Sequence, residues 1–187
     1  MSTKIAIVEG SPRVEALLAP YQEAIGSDLP GYRNHVYRVL SYAMHFLAQD
    51  DSARAAVETA LVYHDIGLWT AHELAYLEPS EARAREDAVE QGWDVDIELV
   101  VRAIHWHHKV TAYRGPDAAI VDAVRRADWI DATQGRLRKG LGRREIAAVE
   151  EALPNLGFHD ALQRLAVELG GSAVRGNLRV IRRVFKL

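Results

Sequence analysis

The chain has 187 residues, 49% of them apolar, with no cysteine and a formal net charge of -3. One hydrophobic core fills that length, so a single domain over residues 1–187 is expected, while disulfides and thiolate metal ligation are excluded. The weak net charge supplies no general field for a nucleic-acid polymer or an anionic membrane, and no stretch approaches the roughly 20 apolar residues of a membrane span, so a cytoplasmic protein is the expectation.

Apolar residues return at three- and four-residue intervals along most of the chain, which predicts an all-α, single-domain helical bundle. Lys4 to Val8 alone invites a strand, with no partner strand elsewhere. Ser11 followed by Pro12 opens a first helix, kinked or broken near Pro20. A long helix from about Pro30 to Ala48 carries Tyr32, His35, Val39, Tyr42 and Phe46 on one broad face, so His35 looks inward. The next runs from near Ser52 to Gly67, a glycine read as the left-handed residue that ends it, with His64 and Asp65 in the last turn. Thr70 and Glu73 form a capping-box pattern for a short helix ending before Pro79, and Ser80 caps another that reaches Gly92. Asp94 caps a helix through Ile97 and Ile104 to His107 and His108.

Gly115-Pro116 then breaks the chain before a helix from about Asp117 to Thr133 that carries Asp128 and Asp131. After Gly140 and Gly142, amphipathic segments are expected at Glu145 to Leu153, His159 to Leu169 and Val174 to Phe185, as a C-terminal extension over about 142–187 beyond a motif-bearing core of about 30–133. Charge divides along the chain: through Val124 there are 10 Lys/Arg against 19 Asp/Glu, and beyond it 13 against 7. The basic end, with Arg175, Arg179, Arg182, Arg183 and Lys186, reads as the solvated side of a helix or as a phosphate-facing surface.

His35, His64, His107, His108, Asp65 and Asp128 fall on four separate predicted helices, and helical bundles assemble metal sites by projecting donors inward from facing helices. Adjacent residues such as His64 and Asp65 point about 100 degrees apart on a regular helix. A helix end relaxes that angle and lets both face one ion.

The segments N-H-V-Y-R-V at 34–39, V-Y-H-D-I-G at 62–67, A-I-H-W-H-H at 103–108 and R-R-A-D-W-I-D at 125–131 resemble, in order and spacing, the motifs of the HD superfamily, over roughly Tyr32 to Thr133. That family is an all-α fold of metal-dependent phosphohydrolases and related enzymes. The resemblance implies metal-ligand roles for His35, His64, Asp65 and Asp128, and His107 and His108 match the paired histidines of its dinuclear branches. Leu68 stands where cyclic-dinucleotide phosphodiesterases of the HD-GYP branch have Lys and where some HD nucleotidases have a water-activating Glu. A further branch, similar to cyanamide hydratase, adds water to a small molecule without phosphate.

Imidazole and carboxylate donors suit a divalent ion such as Mn, Fe, Zn, Ni or Mg, one or two per chain. Water bound to such an ion becomes a nucleophile near neutral pH. Asp65 can hold a second ion through its other oxygen if His107 and His108 complete that half, so these three are the catalytic candidates. Lys109, Arg114 and Arg38 are the candidate anchors for a small, phosphorylated substrate, of which a nucleotide is one form. Arg38 also has a salt bridge as its alternative. Asp131, one turn after Asp128, is placed to orient a ligand histidine. A non-phosphate hydratase and a catalytically silent regulatory module are the competing functions, and a homodimer contact through the last helices is left open.

Overall fold

The computed structural model of the chain describes residues 4–170, and all regular structure among them is helical. The helix expected at Val174 to Phe185, with its four arginines, and Lys186 after it lie outside the described residues. The helices are α1 (Pro12–Leu18), α2 (Gln22–Ile25), α3 (Leu29–Phe46), α4 (Asp51–Tyr63), α5 (Gly67–Thr70), α6 (Leu77–Gln91), α7 (Ile97–Trp106), α8 (Ala118–Ala132), α9 (Arg143–Ala152) and α10 (Phe158–Gly170). None of them is long and apolar enough to cross a membrane.

Helix starts follow from capping chemistry. Ser11 accepts the Val14 amide with Pro12 inside the first turn, Asp50 accepts the Ser52 amide, and Asp96 accepts the amides of Glu98 and Leu99. Each satisfies donors that the helix leaves without an internal partner. The cap of α7 is thus Asp96 and not the expected Asp94, because it is Asp96 whose backbone is extended just before the first turn.

α3 is the central helix, with 13 of its 18 residues buried. It packs chiefly along α8 and also against α4, while α7 joins the group by packing on α4 and α8, and α6, α1 and α9 lie against α7, α4 and α3 respectively. Val36, Val39, Leu40, Leu61, Ile104, Val121, Val124 and Ile130 meet in the middle, each fully buried, and each such side chain contributes on the order of 2 kcal/mol of burial free energy. The donors sit on these same four helices, so the core that stabilises the bundle also fixes the site.

Four expectations need correcting. Residues 4–8 form no strand: the Val8 amide donates to Ser41 Oγ at 2.9 Å and Ile5 is buried, so this segment is held by the bundle surface. Gly67 does not end a helix in the left-handed conformation. α4 stops at Tyr63, and Gly67 begins α5 where a Cβ would stand 2.4 Å from the Tyr76 carbonyl oxygen, so glycine is there for close approach of two chain segments. No helix spans Thr70 to Pro79, since the Thr70 hydroxyl donates back to Ile66 O instead of capping forward and His72 takes a positive φ. Pro79 does not stop a helix but sits in the first turn of α6, where no intrahelical amide is needed. Ser80 is consequently an interior residue of α6 and accepts the Gly67 amide at 2.9 Å.

Candidate metal centre

Two helix ends deliver the donors in pairs. His64 is the residue just beyond α4 and Asp65 follows it; His107 is the residue just beyond α7 and His108 follows it. In both pairs the leading imidazole is locked the same way, with Nδ1 2.6 Å from the carbonyl three residues back, Leu61 for His64 and Ile104 for His107. The released helix turn then lets the second member of each pair face the same point. His35 enters from α3 and Asp128 from α8.

The cluster is tight and nearly dry. His35 Nε2 is 2.9 Å from His64 Nε2 and 3.8 Å from both Asp65 Oδ2 and Asp128 Oδ1. His64 Nε2 is 3.5 Å from Asp65 Oδ2 and 3.7 Å from Asp128 Oδ1. On the other side, Asp65 Oδ1 faces His107 Nε2 at 3.4 Å, and Asp128 Oδ2 faces His108 Nδ1 at 3.3 Å. Each carboxylate therefore gives one oxygen to the His35/His64 half and the other to the His107/His108 half. All but His108 are at most 4% exposed.

Proton positions follow from the partners. The Nδ1 atoms of His35, His64 and His107 face only acceptors, namely Asp131 Oδ2 at 2.6 Å and the two carbonyls, so they carry the protons. In the neutral rings every Nε2 is then a bare lone pair aimed into the cluster, the state in which imidazole binds metal. Asp65 Oδ1, Asp128 Oδ2 and His107 Nε2 are buried with no hydrogen-bond partner. Buried lone pairs facing two ionised carboxylates are strongly unfavourable unless a cation lies among them.

The electrostatics agree. Burial opposes charge on His64, yet Asp65 and Asp128 beside it raise it to about 9, so that a proton there answers the carboxylates. Burial holds His35 down against Asp131. Burial and the neighbouring His108 push His107 down to about 4. Burial would raise both carboxyls, but the surrounding imidazoles keep Asp65 and Asp128 below the usual carboxylate range.

Two imidazole nitrogens about 2.1 Å from a shared ion stand about 3 Å apart at a right angle. The 2.9 Å between His35 and His64 fits that bite. Three triads, His35/His64/Asp128, His64/Asp65/His107 and His107/His108/Asp128, have their donor atoms within 4.8 Å of one another. This buried His/Asp cluster could hold a divalent metal, and its all-nitrogen-and-oxygen donor set is compatible with a site of the HD type.

No protein-family model matches the chain, nor does any curated protein or solved structure.

Asp131 stands behind His35 and not among the donors. Its carboxylate takes the His35 proton on one side and Arg38 on the other, with Arg38 Nη2 2.8 Å from Oδ2 and Nε on Oδ1. Burial would raise this carboxyl, but Arg38 and His35 hold it at about 2. His159 is half-buried and reaches the Asp131 carbonyl with Nε2 at 3.0 Å.

A cavity of about 200 Å³ opens on the donors His35, Asp65, His108 and Asp128, and it is walled by Leu68, Leu74, Tyr76, Phe158, Leu162 and Ala166, with Gln163 and Ala132 beside them. Arg38, Lys109 and Arg114, the three expected substrate anchors, do not line it. Arg38 is consumed by Asp131. Lys109 lies in the turn that leaves the site, its carbonyl taken by Arg125 and Trp129, and Arg114 is exposed in the loop before α8. Trp69 packs on Tyr32 and donates to Asp28, and Trp129 donates to Lys109 O, so neither tryptophan walls the cavity. His72 is exposed and outside the cluster.

Two site residues had no signal in the sequence. Tyr76, in the irregular stretch before α6, hydrogen-bonds His108 Nε2. Phe158, the first residue of α10, stacks on His35 with ring centroids 4.2 Å apart and planes 17° from parallel.

Proposed function

We propose that the chain is a metal-dependent hydrolase that delivers a metal-activated water to a small phosphorylated substrate. The observation that carries this is the pair of carboxylates, Asp65 and Asp128, each shared between two imidazole groups and each with a buried oxygen that has no hydrogen-bond partner. That pattern suits two divalent ions in one pocket, and the resemblance of four motifs to the HD superfamily points the same way. Bound there, divalent ions acidify water and neutralise charge that develops on a phosphoryl oxygen.

The chain's own residues then have distinct tasks. His35, His64, Asp65 and Asp128 hold one half, and His107 and His108 hold the other with the second oxygens of the same carboxylates. Asp131 and Arg38 keep His35 in the tautomer that presents Nε2. If His108 Nδ1 faces an ion, its Nε2–H donates to the Tyr76 hydroxyl, which lines the cavity beside Asp65. Burial, with Asp65 and Asp128 nearby, keeps that phenol protonated far above neutral pH, so Tyr76 is suited to donate to a leaving-group oxygen.

A second reading has its own support: no Lys or Arg is among the described residues that line the cavity. A phosphate monoester would depend on the ions alone for charge neutralisation, whereas an uncharged substrate needs no cation, as in hydration of a small molecule by the same water. A silent regulatory module is disfavoured by a donor set that is complete on both halves.

The test is elemental analysis of the purified protein followed by a phosphate-release screen with Mn and Ni. Bound ion together with phosphate release that disappears in His64→Ala is the expected result. Bound ion with every phosphate ester left intact, and turnover of small nitriles or amides, transfers the assignment to the hydratase reading. Metal-free wild-type protein that His64→Ala leaves unchanged defeats both.

A further inference from the structure

The donors form only one end of the cavity. The rest of its wall is Leu68 and Leu74 from the α5–α6 region, and Phe158, Leu162 and Ala166 from successive turns of α10, with the Tyr76 hydroxyl and the Gln163 amide the uncharged polar groups among the described lining residues. Phe158, Leu68, Leu74 and Ala166 are all under 9% exposed. Among the described residues such a wall offers two uncharged polar side chains and no cation, too few partners for a second phosphate, a sugar's hydroxyls or the polar edges of a base, most of which would lose their hydration on entry without compensation. Hydrocarbon gains by entering. About 200 Å³, part of it taken by the reacting group, compares with the roughly 150 Å³ apolar cavity that accepts a benzene ring.

We propose that the non-reacting part of the substrate is a compact, uncharged hydrocarbon body of roughly six carbon atoms, seated between Leu68, Leu74, Phe158, Leu162 and Ala166, with a single polar group presented to the donors. This deepens the metal-dependent reading above and rests on it. It holds whether the polar group is a phosphate monoester or an uncharged function. It also removes nucleotides from the substrate class, because a base and a ribose exceed the space and leave their polar atoms facing leucines.

The experiment uses a head group that binds divalent ions under either chemistry. Straight-chain hydroxamates from acetohydroxamate to decanohydroxamate are titrated calorimetrically into the Mn-loaded full chain, with AMP alongside. Dissociation constants should fall about fourfold per methylene over the first several carbons and then level or rise, with AMP weaker than the best hydroxamate. Ala166→Leu should move the optimum to a shorter chain and Leu162→Ala to a longer one. Should acetohydroxamate bind while affinity stays flat along the series, or should AMP bind more tightly than every hydroxamate, the hydrocarbon site is wrong and the metal centre stands. If the protein retains no ion and binds no head group, the metal-dependent reading falls and this proposal falls with it.

Discussion

Asp131 accepts the Nδ1 proton of His35 at 2.6 Å while its two oxygens clasp the buried guanidinium of Arg38. One carboxylate thereby orients a metal-facing imidazole and balances a charge that has almost no solvent. Asp131→Asn retains the shape but loses the charge, so the His35 ring is no longer held in one tautomer and Arg38 is left without its counter-ion. Removing such an orienting partner typically weakens metal affinity 10- to 100-fold, and stranding a buried charge costs about 3–5 kcal/mol. Calorimetric titration with Mn and urea denaturation should both register the substitution; unchanged affinity would detach Asp131 from the site.

The shared carboxylates predict stoichiometry. Wild-type protein should bind two divalent ions per chain, and His107→Ala should bind one, because the His35, His64, Asp65 and Asp128 half keeps its donors. His35→Ala should lose the ion of the first half and lower the affinity of the second, since Asp65 and Asp128 are common to both. Elemental analysis after exhaustive dialysis reads the ratio directly. A wild-type value of one refutes the two-ion arrangement.

The donors were legible in the sequence because their positions depend on local rules. Helical periodicity turns His35 and Asp128 inward, and a dipeptide at a helix end turns two neighbours toward one point, as at His64–Asp65 and again at His107–His108. What lay beyond local rules was lost. Lys109 follows His108 directly, yet the chain leaves α7 in a turn that carries it off the cavity, so adjacency did not fix direction. Tyr76 sits in a stretch without periodicity, and its contact with His108 exists only because Gly67 and Ser80 draw the start of α6 against the His64–Asp65 turn. Phe158 reaches His35 only through the docking of α10, a packing choice that no short motif encodes.

His64 gives the metal-stripped protein a characteristic pH dependence. Its carboxylate neighbours raise it to about 9 in the folded state against an ordinary value of 6.5. A base raised on folding contributes stability that is fully present below its unfolded value and is lost as pH climbs through its folded value. His35 and His107 are held down by burial and cost stability only on the acid side of 6.5. Between pH 6.5 and 9 the chelated protein should therefore melt at progressively lower temperature, while the Mn-loaded protein, whose ion replaces that proton, should change much less. The gap between the two melting temperatures should widen with pH. A gap that stays constant across this window would show that no proton occupies His64 in place of metal.

Gly67 tests whether the approach of α5 to α6 builds the site. A methyl group there would stand 2.4 Å from the Tyr76 carbonyl oxygen and 3.0 Å from Ser80 Oγ. The first of these is backbone, which cannot rotate away, so Gly67→Ala must push the start of α6 off the His64–Asp65 turn. Overpacking of this kind costs typically 1–3 kcal/mol. Gly10→Ala is the matched control, because nothing lies within 4 Å of its added carbon, and a surface change without such contacts stays within about 0.5 kcal/mol of wild type. Since Tyr76 moves with the displaced segment, its hydrogen bond to His108 should break as well. Mn affinity should then fall together with stability in Gly67→Ala and in neither respect in Gly10→Ala. Equal urea midpoints for the two variants would mean that the segment gives way freely and that Gly67 has no part in forming the centre.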